Sequence, residues 1–126
     1  MRVLTLLKMP EQGLGEPPAE LFAAMDRVIK EGEAAGVTMV EGNGLLPSSV
    51  AAARIVSTGG RSTVYDGPFT EARELVGGYA ILDVATFDQA VESARQIAEV
   101  HERHWPGWEG EIEIRQLMAP EDQPGG

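Results

Sequence analysis

Three side chains stand out as able to do acid–base chemistry. Asp66 directly precedes a Gly-Pro pair, so its carboxylate either acts as a general base in a pocket or accepts backbone N–H groups of the turn. Tyr79 follows a Gly-Gly pair and offers a hydroxyl donor on an apolar wall, or a core ring whose hydroxyl reaches water. His101 lies near the end of a helical pattern, where it either transfers protons or interacts with the helix dipole. These are the candidate catalytic residues.

A second group of side chains is suited to hold a ligand. The guanidinium of Arg54, on a predicted strand, either binds an anion or forms a surface ion pair. Glu71 and Glu74 stand three positions apart on a predicted short helix, so their carboxylates either face one cation or amine together or form a solvated acidic face. The predicted ligand pocket comprises Pro47, Ser48, Arg54, Phe69, Glu71 and Glu74.

The supply of metal ligands is small. The chain has two His and no Cys. Its histidines, His101 and His104, are three positions apart, whereas the zincin motif separates them by four. A metal would need carboxylates such as Glu99 or Glu102 to complete its coordination. We therefore predict no metal site and no cofactor.

Composition indicates the class of protein. The 126 residues include 10 Lys+Arg and 20 Asp+Glu, giving a net charge of −10 that repels nucleic acid. The length suits one domain, and the 43% hydrophobic content is that of a folded protein. The first apolar segment ends at Lys8 without a cleavage site, and no window is long enough to span a bilayer. We predict a cytoplasmic protein with neither nucleic-acid nor membrane partners.

The hydropathy pattern alternates between strand and helix periods. It predicts four strands, two long helices and a hairpin. The strands lie at 2–9, 37–40, 79–84 and 111–118, the helices at 18–35 and 87–104, and the hairpin arms at 51–57 and 62–65. Gly36 is predicted to end the first helix, and Thr86 and Gln89 match a capping box at the start of the second. The Gly-rich segment 42–49 is predicted as a loop, and Gly77-Gly78 as the residues before the third strand. The apolar stripe of the second helix is predicted as Phe87, Val91, Ala94, Ile97 and Ala98. Residues 1–118 form the predicted domain, and 119–126 an acidic Pro/Gly-rich tail.

This β-α-β…β-α-β order predicts an α+β fold of the ferredoxin-like, split βαβ type, with an inserted hairpin and an antiparallel sheet. Both helices then cover one face of that sheet. However, the strands at 2–9 and 79–84 are apolar on both faces. The uncovered face is most simply buried against the same face of a second subunit. We therefore predict a homodimer.

The stretch from Asp66 to Tyr79 is the most distinctive part of the chain. It begins Asp-Gly-Pro-Phe and ends in a Gly-Gly-aromatic triplet, and it resembles the DGPF-containing proteins of the YCII-related family. The segments 44–49 and 110–115 extend the resemblance to nearly the full length. It implies a dimeric α+β barrel with a pocket, with acid–base work by a His and an Asp in some relatives and association with sigma factors in others. Leu46 stands where such sequences often have His, so the role of that His does not carry over.

These observations predict a dimeric module that binds a small molecule or acts in regulation. The alternative is an enzyme with an acid–base pocket near Asp66 and Tyr79. A third hypothesis, a cofactor-independent monooxygenase, rests on analogy with other dimeric α+β barrels alone. The predicted cleft lies between the sheet and the loops at 42–49 and 66–78.

Overall fold

The computed structural model describes residues 1–11, 13–69 and 75–125. Four strands form one antiparallel sheet, in the order Thr38–Gly44 (β2), Val76–Asp83 (β5), Arg2–Lys8 (β1) and Glu111–Gln116 (β6). A separate hairpin pairs β3 (Ala53–Thr58) with β4 (Arg61–Asp66). The two helices are α1 (Ala19–Ala34) and α2 (Phe87–His104), and a short 3₁₀ turn follows at Pro120–Asp122.

Both helices pack on one face of the sheet. Val3 and Leu82, which are opposite each other in the ladder, are buried together with Ala90 of α2. Farther along the same face, Leu7 packs against Leu21 of α1. The predicted α+β fold with an antiparallel sheet and an inserted hairpin is confirmed. Within the described ranges, neither helix is long and apolar enough to cross a membrane.

The start of α2 and the end of α1 lie where short sequence patterns predict them. The hydroxyl of Thr86 accepts the N–H of Gln89, whose side chain accepts the N–H of Thr86, which is the predicted capping box. Gly36 follows α1 with a φ of 89°, a conformation that glycine adopts without a steric cost.

The predicted stripe of α2 is partly wrong. Phe87 and Val91 are 38% and 40% exposed, and the buried residues are Ala90, Ala94 and His101. At about 100° per residue, Phe87 and Val91 lie roughly 60–100° around the helix from Ala90. Large apolar side chains guided the prediction, but the small alanines are the ones that let the helix approach the sheet.

Two strand boundaries also differ from the prediction. β5 begins at Val76 rather than Tyr79, and β2 continues to Gly44 rather than ending at Val40. Glycines in both segments were interpreted as breakers, but Gly42 and Gly44 pair in the ladder with Ala80 and Gly78. Hydrogen bonding between the strands therefore overrides the low strand propensity of glycine.

Candidate functional site

A cavity of about 640 Å³ lies between the two helices and the helix-facing side of the sheet. Its walls are largely apolar. They include Leu7 and Met9 of β1, Met25 and Ile29 of α1, and Ile97 of α2. Sites that enclose small molecules usually measure about 300–1,000 Å³ and have walls of this kind.

Small residues on β2 and β5 form part of the cavity wall. Gly42, Gly44, Gly78 and Ala80 are paired across the two strands and all border the cavity. A Cβ on Gly42 would lie 2.8 Å from Sδ of Met39 and 3.2 Å from the carbonyl oxygen of Tyr79. Larger side chains at these positions would therefore fill the cavity or displace the strands.

His101 is the buried titratable residue of the cavity wall. It is 2% exposed, and its Nδ1 lies 2.8 Å from the carbonyl oxygen of Ile97. Because a carbonyl oxygen can only accept, we assign the proton to Nδ1. Nε2 then has a lone pair, and it forms no hydrogen bond with any described residue. The ring centroids of Trp105 and Trp108 lie 6.5 Å and 5.0 Å from that of His101.

Burial lowers the pKa of His101 below its usual value of 6.5, and the hydrogen bond to Ile97 only partly opposes this effect. The folded protein therefore binds a proton at this site less readily than the unfolded chain. We expect the free energy of unfolding to fall as the pH drops below about 6.5 toward the pKa of the folded state. Urea denaturation at a series of pH values measures this slope.

The control for this measurement compares two variants on the same helix. His101→Phe removes the buried imidazole and should flatten the slope, whereas His104→Gln should retain it. An identical slope in the wild type and in His101→Phe would contradict the assignment.

Ser48 joins three segments near the mouth of the cavity. It is 6% exposed, and both its N–H and its hydroxyl donate to the carboxylate of Glu11, at 2.8 and 2.7 Å. Its hydroxyl oxygen accepts the N–H of Phe69 at 2.9 Å. A Cβ on Gly67 would collide with the carbonyl oxygen of Ser48, so only glycine allows this approach. Ser48 thus holds the predicted site loops together, and Glu11 and Pro47 border the cavity.

Tyr79 borders the cavity through its position on β5, but its side chain points the other way. Tyr79 is opposite Leu6 and belongs to the sheet face away from the helices, because strand side chains alternate. Its hydroxyl donates to the carboxylate of Glu41 at 3.0 Å. This hydrogen bond raises the pKa of the phenol, since the neighbouring carboxylate disfavours the phenolate.

The remaining predicted site residues lie around the hairpin. Asp66 ends β4 opposite Ala53 and is exposed, and its carboxylate makes no hydrogen bond or ion pair with a described residue. The guanidinium of Arg54 lies 4.1 Å above the ring of Phe69 in a cation–π contact. Glu71 and Glu74 lie outside the described residues, as does most of the turn that Asp66 is predicted to cap.

The structure therefore gathers Pro47 and His101 around one cavity and places Asp66, Arg54 and Phe69 outside its wall. Sequence reasoning missed Glu11, which had no nearby motif because its partner is 37 positions away. In the described part of the chain, no three His, Asp or Glu side chains converge as metal ligands would.

The sequence of almost the whole domain matches that of a known protein family. The family model of the YCII-related domain matches residues 1–117. The chain belongs to the YCII-related family. This family match confirms the resemblance predicted from the segment that begins at Asp66.

An uncharacterised protein of Rhizobium meliloti (strain 1021) is also similar to this YCII-related chain. It is 35% identical over 57 residues. The match covers 45% of this chain and 45% of the relative, so less than half of the relative's length is spanned.

Proposed function

We propose that this YCII-related protein is a cytoplasmic homodimer that binds a small, uncharged and largely apolar molecule. The observation that carries this proposal is the cavity between the helices and the sheet. Its volume of about 640 Å³ suits such a ligand, and its lining is largely apolar.

The charges around the cavity favour a neutral ligand. The charged side chains among its described lining residues are acidic: Glu11 and Asp26. Glu11 accepts two hydrogen bonds from Ser48, and Asp26 pairs with Lys30 at 2.8 Å. An anionic ligand would find no Lys or Arg in this part of the wall, and desolvating its charge would be costly.

The mouth of the cavity is apolar and accessible. Phe22, Leu45 and Leu46 border it and are 56%, 50% and 76% exposed. Apolar side chains grouped at an opening provide a surface on which an apolar molecule gains contacts before it enters. Leu46 stands where the sequence resemblance predicts that a His is often found, and its side chain contributes apolar surface to this entrance.

Binding can be tested with N-phenyl-1-naphthylamine, an uncharged probe whose fluorescence rises in apolar surroundings. The wild type should enhance its emission at a saturable site. Ala80→Phe places a large ring in the cavity and should weaken binding at least about tenfold, because it removes the space that the probe needs.

Val91→Phe is the matched control, since it adds the same ring on the exposed side of α2. It should bind as the wild type does. Circular dichroism checks that both variants fold. Absence of a saturable site in the wild type, or equal binding by a folded Ala80→Phe protein, would refute the proposal.

The homodimer is supported by the sheet face away from the helices, which we call the open face. Leu4, Leu6 and Ile81 occupy its two central strands and are only partly covered. Charges of both signs lie beside them: Lys8 pairs with Glu113 at 2.8 Å. A two-fold axis brings such a face against its own copy, with apolar side chains at the centre and complementary charges outside.

An acid–base enzyme is the second candidate, and His101 is the observation that favours it. A buried imidazole with a free Nε2 on a cavity wall is suited to act as a general base. This differs from the predicted pair, since no hydrogen bond joins Asp66 to Tyr79. Product formation from a bound molecule, abolished in His101→Phe, would favour this candidate over a binding module.

A further inference from the structure

The geometry points to a specific chemical class of ligand: an uncharged apolar hydroxy compound, such as a phenol, whose hydroxyl donates a hydrogen bond to Nε2 of His101. This inference rests on the proposed function, because it requires that the cavity bind a small molecule. It adds the polar group by which the ligand is recognised.

The hydrogen bond of His101 determines which of its ring nitrogens carries the proton. Its Nδ1 lies 2.8 Å from the carbonyl oxygen of Ile97, which can accept but not donate, so Nδ1 carries the proton. Burial disfavours a second proton on the ring. Nε2 is therefore an acceptor, and a ligand group that faces it must donate.

The imidazole ring of His101 lies at the cavity wall in aromatic surroundings. His101 is 2% exposed, and it borders the cavity. Trp105 and Trp108 lie beside it and are themselves buried, so the imidazole is confined by aromatic walls. Nε2 of His101 has no hydrogen-bond partner among the described residues, yet it is not fully enclosed, because the fully buried side-chain nitrogen without a partner in that part of the chain is Nε1 of Trp108. A ligand hydroxyl can therefore donate to Nε2 from the cavity while its apolar part contacts the walls.

Other polar groups around the cavity either have hydrogen-bond partners already or can both donate and accept. The hydroxyl of Thr5 lies 3.4 Å from the carbonyl oxygen of Ala80, and Glu11 is bound by Ser48. Ser93 lies two turns before His101 on the same side of α2 and is half-buried. Its hydroxyl rotates to donate or to accept, so it imposes no requirement. Among the described lining residues, His101 is the buried polar side chain, and its Nε2 favours a ligand that donates.

The experiment compares two probes that differ in one group. 2-Naphthol donates a hydrogen bond, and 2-methoxynaphthalene has the same ring system without the donor. At about neutral pH, calorimetric titration of the wild type should show 2-naphthol binding about three- to tenfold tighter, the range for one net hydrogen bond. In His101→Phe this preference should vanish while 2-methoxynaphthalene still binds within about twofold.

The outcomes separate this inference from the proposed function. If both probes bind the wild type equally, the donor requirement is wrong and the binding function stands. If neither binds, the proposed function itself fails.

Nitrogen NMR of the wild type provides a test that needs no folded variant. 2-Naphthol should shift the Nε2 resonance of His101 and leave Nδ1 in place, and 2-methoxynaphthalene should not produce that shift. An unmoved Nε2 resonance at saturation with 2-naphthol would overturn the inference.

Discussion

Replacing Trp105 by alanine is expected to lower the free energy of unfolding by about 3–5 kcal/mol. Trp105 is 6% exposed and packs in one cluster with Leu21 of α1 and Trp108. Its Nε1–H donates to the carbonyl oxygen of Leu14 at 3.1 Å. The substitution removes a large buried ring and also leaves that carbonyl without its donor. Urea denaturation monitored by circular dichroism measures the loss.

Trp105→Phe is the control that separates packing from hydrogen bonding. It retains an aromatic ring but cannot donate to Leu14, so its loss should be clearly smaller than that of Trp105→Ala. A Trp105→Ala protein that loses less than about 1 kcal/mol would show that the cluster repacks. Because Leu14 and Trp105 both border the cavity, we also expect Trp105→Ala to weaken binding of N-phenyl-1-naphthylamine.

The second large effect concerns assembly. Ile81→Asp should convert the proposed dimer into a monomer, because it places a carboxylate at the centre of the open face. Burying that charge against a second apolar face without a partner is unfavourable. Ile81 lies opposite Leu4 and Glu41, so the variant adds a second acidic group to an already acidic position. Sedimentation velocity at micromolar concentrations distinguishes the two states.

Val91→Asp is the matched control, since it introduces the same charge on the exposed side of α2 and should remain dimeric. The wild type should also unfold at a higher temperature as its concentration rises, whereas the Ile81→Asp protein should not, because only a dimer links folding to concentration. A wild type that sediments as a monomer would refute the assembly.

Patterns that span a few residues predicted much of the fold. The two faces of β1 were correct because strand side chains alternate, and Thr86 was recognised as a helix cap from its spacing to Gln89. Glycines were harder to interpret. Gly42 and Gly78 favour loops by local propensity, but each is held in a strand by a neighbour far away in the sequence.

The candidate site was less predictable for the same physical reason. The cavity is lined by residues from two helices and from strands that are distant in the sequence, so its wall is a property of tertiary pairing. His101 was identified from its residue type, but its burial and its tautomer depend on the packing of Trp108 and on Ile97. Glu11 had no signal at all, because its partner Ser48 belongs to a different loop.

The hairpin of β3 and β4 has a consequence for how chains of this type can diverge. Among the residues that the structure describes, its strands pair only with each other, and the four-stranded sheet forms without them. At the base of the hairpin, the N–H of Gly67 donates to the carbonyl oxygen of Ala52 at 2.8 Å. At its far end the chain turns through Gly59 and Gly60, which are both exposed. We therefore expect this tip to tolerate insertions and deletions without a change in the sheet register or the cavity wall.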